Sequence, residues 1–286
     1  MTLEEIFAGT STPPDIEYRG AAADSKFLFT HRSAADAEIY FVSNQNDRAE
    51  HVDCAFRIEG RQPVRWDAVT SERRLLTEWS EQSGQTVVPL TFAPQQSWFV
   101  VFRHRGQPVA GAPKNFPDLK PLTTLASPWE VTFDPRWGGP ARADFPRLVD
   151  LITRPEEGIK HYSGAATYRT TFELSTATLN ATSTGLFLDL GEVRDLATVR
   201  LNGRELGTLW TAPWRVNIAA AARMGANTLE IAVVNPWNNR LVGDHPLLTE
   251  KRLTSLSLST LKPNAPLQPA GLLGPVTLRS PAAGSP

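Results

Sequence analysis

Short runs in which every second residue is apolar recur along most of this chain, separated by Gly, Pro, Asn and Asp. A period of two sends successive side chains to opposite faces of an extended strand, so such runs build sheets with one covered and one wet face. In 52–59, Val52, Cys54, Phe56 and Ile58 share one face, while Asp53, Arg57 and Glu59 share the other. In 86–92, Val88, Leu90 and Phe92 alternate with Val87, Pro89 and Thr91, and Pro89 assigns that strand to a sheet edge or a bulge. The segments 26–31, 38–43, 63–69 and 97–103 read the same way. Short strands with turn residues between them predict a β-sandwich over 25–103, preceded by a lead-in of residues 1–24.

Between 104 and 124 the alternation stops and Pro and Gly punctuate the chain, which reads as a stiff linker. Alternation resumes in Trp129–Phe133 and Tyr168–Leu174, then in Leu186–Leu190 and Ala197–Leu201. Asn202-Gly203 follows at once, a strong short-range hairpin signal, with Arg204–Trp210 as the returning strand. Leu229, Ile231 and Val233 mark another strand, and Val276 and Leu278 a closing one. The fold expected is all-β, with two β-sandwich domains, the second a jelly roll over 125–280, and a disordered tail at 281–286. Helix is expected in two places: residues 2–8, where Thr2 and Glu5 have capping-box spacing, and 219–224, ended by Gly225.

The 286 residues are enough for two domains. With 29 basic and 30 acidic side chains there is no global field to hold a polyanion, which argues against a nucleic-acid partner. No run approaches the ~20 apolar residues of a membrane helix. The N-terminal residues do not read as a secretory signal, and the compartment stays undetermined. The one cysteine, Cys54, excludes an intrachain disulfide and a cysteine-based zinc site.

Catalytic signatures are scarce. No phosphate-binding loop, dinucleotide fingerprint, nucleophile elbow or zinc-protease motif occurs. His31, His51, His104, His161 and His245 are scattered, and none pairs with another at a metal-ligand spacing. Glu156 and Glu157 lie between Pro155 and Gly158, where a solvated turn outweighs a catalytic pair. One stretch has a coherent chemistry: Trp210 and Trp214, then Asn235, Trp237, Asn239, Arg240 and Asp244. Indole faces suit the C–H side of a sugar ring, and amide, guanidinium and carboxylate groups suit its hydroxyls. The competing reading has the tryptophans plugging the sandwich ends and Arg240–Asp244 forming an internal salt bridge.

Several longer motifs carry a resemblance. His161 to Arg169, Leu188 to Val193, Val199 to Gly207, Gly225 to Ile231 and Gly271 to Val276 together resemble the galactose-binding-like, sugar-binding domain of family 2 glycoside hydrolases. With the run Asn235 to Asp244, they are more closely similar to the C-terminal region of family 106 α-L-rhamnosidases. Phe29 to Arg32, Ile39 to Gln45 and Pro63 to Thr70 resemble the β-domain that follows the catalytic barrel in such enzymes. Those enzymes hold their catalytic acid and base on a (β/α)8 barrel, which takes about 250 residues of alternating strand and helix. Nothing in this sequence reads that way, so no catalytic residue is carried over. The resemblance implies a non-catalytic accessory or carbohydrate-binding region, a split product or fragment. It would bind a glycan, a rhamnose-containing one included, or partner a glycosidase catalytic domain. Two alternatives stay open: a functional part of a complete hydrolase whose barrel is supplied separately, and a structural, protein-binding sandwich pair. No cofactor is evident. Calcium is common in this superfamily, which leaves a structural calcium open, although the sequence shows no ligand cluster for it.

Overall fold

The computed structural model describes residues 14–126, 128–181, 185–255, 262 and 265–282. The chain divides into two compact units, Met1–Asp118 and Leu119–Ala283. Both are built from antiparallel strands, and the fold is all-β.

The first unit contains β1 (Ile16–Arg19), β2 (Phe27–Ser33), β3 (Glu38–Asn44), β4 (Glu50–Phe56), β5 (Arg61–Trp66), β6 (Arg73–Leu75), β7 (Ser80–Gln82), β8 (Gln85–Phe92) and β9 (Ser97–Arg105). They form a four-stranded sheet, β1-β4-β8-β7, and a five-stranded sheet, β2-β3-β9-β5-β6. The alternation fixes which residues turn inward. Val52, Cys54 and Phe56 are buried on β4 while His51 and Asp53 are exposed, and Tyr40 and Val42 are buried on β3. Aromatic rings fill the space between the sheets: Tyr40 and Phe102 each pack edge-on against Phe56, at 4.9 and 5.2 Å between centroids. Burial pushes the Cys54 thiol well above its ordinary range, so it behaves as a small apolar side chain. Pro89 sits on β8 beyond the end of β7, whose pairing reaches only Val87. Its carbonyl on that side accepts from Asn115 Nδ2 at 3.3 Å, so its missing N–H breaks no ladder.

The second unit contains β10 (Leu119–Thr124), β11 (Trp129–Thr132), β12 (Arg142–Phe145), β13 (Gly164–Leu174), β14 (Phe187–Asp189), β15 (Glu192–Arg194), β16 (Leu196–Leu201), β17 (Arg204–Leu209), β18 (Arg215–Asn217), β19 (Gly225–Asn235), β20 (Gly271–Gly274) and β21 (Thr277–Pro281). Three short helices join them: α1 (Glu157–Lys160), α2 (Thr176–Ala181) and α3 (Asn238–Asp244). A six-stranded sheet, β12-β11-β13-β19-β16-β17, faces a four-stranded one, β10-β21-β14-β18, and β15 pairs with β20. The spine is the pairing of β13 with β19 along their whole length, from Gly164↔Asn235 to Leu174↔Gly225. Tyr168, Phe172, Leu229, Ile231 and Val233 point from this pair into a core shared with Trp129, Phe145, Leu188 and Leu278. This is a jelly-roll sandwich, as the spacing of its strands predicts.

The Asn202-Gly203 turn has both residues at positive φ, 53° and 81°, the twist that suits a two-residue hairpin. Asn202 does more than turn the chain. Its amide bonds Asn227 Oδ1 at 2.8 Å and Ala221 O at 2.9 Å, and its Oδ1 accepts from Thr228 N, which ties the hairpin to the start of β19.

The structure departs from the sequence reading in several places. The lead-in contains β1, which pairs with β4 from Ile16↔Phe56 to Arg19↔Asp53. The stretch read as a linker divides in two. Residues up to Asp118 belong to the first unit, where Asn115 is fully engaged with Glu78, and Leu119–Thr124 is an edge strand of the second, with a register shift at Pro121. Residues 219–224 form a turn rather than a helix, with Ala221 and Ala222 N–H both reaching Ile218 O, and Gly225 opens β19. Pro281, read as the start of the tail, pairs with Leu119. The helix expected over 2–8 lies outside the described residues, as do 283–286.

Candidate functional site

Antiparallel pairing brings one end of the six-stranded sheet together from distant sequence. Register places the last residue of β11 and the first of β13 beside the last of β19, the first of β16 and the last of β17. The loops that follow or precede these residues therefore gather on one rim: 133–141, 161–163, 195, 210–214 and the segment after Asn235. Loops at sandwich ends are the usual place for recognition. The rim holds Trp210 and the whole run from Asn235 to Asp244, with Trp214 where the 210–214 loop reaches β18.

The four polar candidates are turned inward. Asn235 is 5%, Asn239 0%, Arg240 7% and Asp244 2% exposed. Asn235 Nδ2 donates to Gly164 O at 3.0 Å and clamps the end of the β13–β19 pair. Asn239 exchanges two bonds with the backbone of Gln268, at 2.7 and 2.8 Å. Residues 237–244 are not the loop expected from sequence. Trp237 O accepts from Arg240 N and Leu241 N, which winds the chain into α3 and sets Arg240 and Asp244 one turn apart. Arg240 Nη2 lies 3.0 Å from Asp244 Oδ1. Asp244 Oδ2 accepts from Leu253 N, Thr254 N and Thr254 Oγ1 at 2.7–2.9 Å. These side chains pin segments 253–254 and 268 to the rim, which is the supporting role weighed against ligand contact.

Three atoms of the same segment are left over. Asn235 Oδ1 and Arg240 Nε are buried without a hydrogen-bond partner, and Asp244 Oδ1 faces its ion-pair partner off the line of a hydrogen bond. Among the described residues of the second unit, these are the buried side-chain polar atoms in that condition. Each unmet group costs on the order of 1–3 kcal/mol, so this end of the sandwich holds unused hydrogen-bonding capacity.

The aromatic candidates divide. Trp214 is half-buried against the core, and its carbonyl accepts from Leu190 N at 2.8 Å, so it plugs the sandwich. Trp237 and Trp210 are 62% and 56% exposed. A third exposed indole, Trp137 at 44%, was missed from the sequence. It closes a single 3-10 turn, Pro135–Trp137, whose start is capped by Asp134 Oδ1 accepting from Arg136 N. The Arg136 side-chain hydrogen bond also holds the Asp134 carboxyl below its ordinary range. Gly138 ends the turn at φ 81°, a conformation that favours glycine. Tyr162 secures the turn from below, accepting from Asp134 N and donating to Ala165 O, both at 3.0 Å. Burial pushes its phenol upward, so it stays a neutral donor. The sequence signal was present in Asp134-Pro135-Arg136-Trp137-Gly138-Gly139, a capped turn that presents an indole.

The turn is held at backbone distance from its neighbours. A Cβ on Gly158, in α1, would sit 2.2 Å from Gly138 O, and a Cβ on Gly164 would sit 3.4 Å from Trp137 Cδ1. Trp137 therefore stands over the first residue of β13, beside the strand that leads to Trp237.

Glu156, Glu157 and His31 have polar neighbours. Glu156 accepts from Arg154 at 2.6 and 3.0 Å, and Glu157 faces His161 and Lys160. His31 lies between Asp15 and Glu38 and stacks on Tyr40 at 4.0 Å. Among the described residues no three His, Cys, Asp or Glu side chains converge as a metal site, and no helix is long and apolar enough to cross a membrane. A hollow of about 280 Å³ lies in the first unit, lined by Arg19, His51, Asp53, Glu78, Lys114 and Phe116 among others.

Residues 1–78 match the α-L-rhamnosidase family model of glycosyl hydrolase family 106, and residues 153–250 match the galactose-binding domain-like model of glycosyl hydrolase family 2. The structure of a rhamnosidase from Novosphingobium sp. PP1Y superposes with a TM-score of 0.89 at 36% identity, covering 97% of this chain and 26% of that one. A curated protein of Formosa agariphila, named as a β-glucuronidase, is 41% identical over 123 residues, 43% of this chain and 10% of its own length. The chain thus spans about a quarter of the solved rhamnosidase and a tenth of the curated relative. The chain resembles family 106 α-L-rhamnosidases over residues 1–78 and the galactose-binding-like domain of family 2 glycoside hydrolases over residues 153–250, and it shares the fold of the matched part of the solved rhamnosidase. No alternating strand–helix barrel occurs among the described residues.

Proposed function

We propose that this chain is a non-catalytic accessory region of a rhamnosidase-like glycoside hydrolase, and that the loop rim of its second sandwich binds carbohydrate. The observation that carries this reading is the rim itself. Exposed indoles at Trp137, Trp210 and Trp237 stand on loops anchored by a buried polar network that retains unused hydrogen-bonding atoms. An indole face stacks on the C–H face of a pyranose, and the polar groups around it meet the hydroxyls. Asn235, Asn239, Arg240 and Asp244 support that surface, Trp214 fixes the 210–214 loop to the core, and Trp137, Trp210 and Trp237 make the contacts. Rhamnosides and glucuronides are the first ligands to try, since those are the substrates the relatives' names print.

The test is binding by the purified chain on an oligosaccharide array, with Trp237→Ala as the control. Binding lost in Trp237→Ala at an unchanged melting temperature supports a site. Absence of binding by the wild type, with a lowered melting temperature in the variant, makes the cluster structural. The chain alone is expected to leave aryl α-L-rhamnosides intact, and turnover abolished by replacing one of its own carboxylates would refute the non-catalytic reading.

A second reading has one observation in its favour: the solved rhamnosidase extends well beyond the matched quarter. On that reading the chain acts with a catalytic barrel supplied separately. Co-purification with such a barrel, and activity only in the mixture, would select it.

A further inference from the structure

We propose that the rim takes an extended, neutral oligosaccharide of about four residues, laid across the strand ends, rather than a single terminal sugar. This rests on the carbohydrate reading above and deepens it.

Strand order fixes the spacing. Trp137 stands over the first residue of β13, Trp237 follows the last pairs of β19, and Trp210 follows the last residue of β17. In the sheet these strands run β13-β19-β16-β17. Neighbouring strands lie about 4.8 Å apart, so three intervals set the strand ends that carry the outer indoles roughly 15 Å from each other, with the end that leads to Trp237 between them. A pyranose unit of a linear chain occupies about one such interval, so one ring reaches one indole, and a tetramer, its third ring over β16, reaches all three. Three large exposed indoles on one rim are costly to leave wet, and a single sugar covers too little of them.

The charge along the row gives the ligand class. The strand between Trp237 and Trp210 is β16, and Asp195 precedes it with its side chain exposed. Asp195 N bonds Val234 O at 2.9 Å, which fixes the residue against the end of β19. A carboxylate there accepts hydrogen bonds from paired hydroxyls and repels a uronate. Arg194, the adjacent cation, is held by Glu192 at 2.6 Å. Leu196 and Val234 beside it are 38% and 43% exposed, which adds an apolar contact for the ring or for a deoxy-sugar methyl group.

The experiment is calorimetric titration of the full chain with two ladders, α-L-rhamnosyl and glucuronyl oligosaccharides, each from one to six residues long. Affinity for the neutral ladder should rise with length and level off near about four residues. Trp210→Ala should bring the tetramer down about tenfold, to the affinity of the dimer, and leave the dimer unchanged. Trp237→Ala should weaken every length. A purely structural tryptophan would not separate tetramer from dimer, and melting temperatures check that both variants fold. Equal affinity for monomer and tetramer, equal weakening of all lengths by Trp210→Ala, or tighter binding of the glucuronyl ladder would each overturn the proposal while leaving the carbohydrate reading intact. No binding to either ladder or to a broad oligosaccharide array would refute both.

Discussion

Replacing Asp244 by Ala should be among the most damaging single changes in the second unit. The side chain is 2% exposed, and its Oδ2 holds the backbone of Leu253 and Thr254 while Oδ1 faces Arg240. Truncation removes three charge-assisted hydrogen bonds and leaves Arg240, itself 7% exposed, without its counter-ion. Breaking a buried pair from one side costs about 3–5 kcal/mol. For a unit of this size each kcal/mol moves the melting temperature by about 2–4 °C, so a drop of roughly 6–20 °C is expected. Arg240→Met is the informative comparison. It leaves Asp244 with its three hydrogen bonds and should cost less, about 1–3 kcal/mol. The assay is calorimetric unfolding of both variants and of the pair combined, with hydrogen exchange read at the Leu253 and Thr254 amides. Those two amides should lose protection in Asp244→Ala and keep most of it in Arg240→Met. A drop under about 3 °C for Asp244→Ala, or a larger loss for Arg240→Met than for Asp244→Ala, would refute the view that the carboxylate anchors this end.

Three further outcomes are expected. Burial pushes the Asp15 and Glu38 carboxyls up, but hydrogen bonds and nearby positive charge together outweigh it and hold them below their ordinary 3.8 and 4.5, through Arg57 and His31 for Asp15 and through Ser33 and His31 for Glu38. Depressed folded values mean stability that is present above the ordinary values and lost as pH falls through the folded ones. The first unit's melting temperature should therefore decline below about pH 4.5, and Asp15→Asn should flatten that slope in a thermal-melt series. Gly158→Ala puts a methyl group 2.2 Å from Gly138 O, so it should cost about 1–3 kcal/mol and displace the turn bearing Trp137, seen as a changed tryptophan emission together with weakened glycan binding. Asn115→Ala removes the side-chain bonds that tie 106–118 to Glu78 and Pro89, and limited proteolysis should then cut that stretch faster than in the wild type.

The longer strands were legible because each has one covered face, so a period of two survives in the residues. β4, β13 and β19 show it over seven to eleven positions. The three- and four-residue strands β1, β6, β7, β12, β15, β18 and β20 carry too few turns of the pattern to register, and they exist because a longer neighbour pairs with them. The proline-rich 104–124 stretch misled for a similar reason: β10 tolerates Pro121 because it is an edge strand, and edges lack one row of hydrogen bonds. For the candidate site, residue type and position at strand ends pointed to residues that the structure gathers on one rim of the second sandwich. Burial was not legible. Asn239 and Asp244 have the composition of ligand contacts, yet their partners are backbone groups far along the chain, which a linear pattern does not reveal. Trp137 was passed over because its turn lies far in sequence from the others and meets them only through the β11–β13–β19 pairing.

The position of β21 has a consequence for how the second unit is made. It lies between β10 and β14, pairing Leu119 with Pro281 and Leu188 with Leu278. The first strand of the unit therefore waits for the last before it has a neighbour. During synthesis the six-stranded sheet can assemble while β10 stays unpaired and β14 has only β18 beside it, and the smaller sheet closes only once residues 277–281 have left the ribosome. Contacts this distant in sequence make for slow closure and a period of exposed strand edges. A shortened or obstructed end would thus strand an almost finished sandwich with its core open on one side.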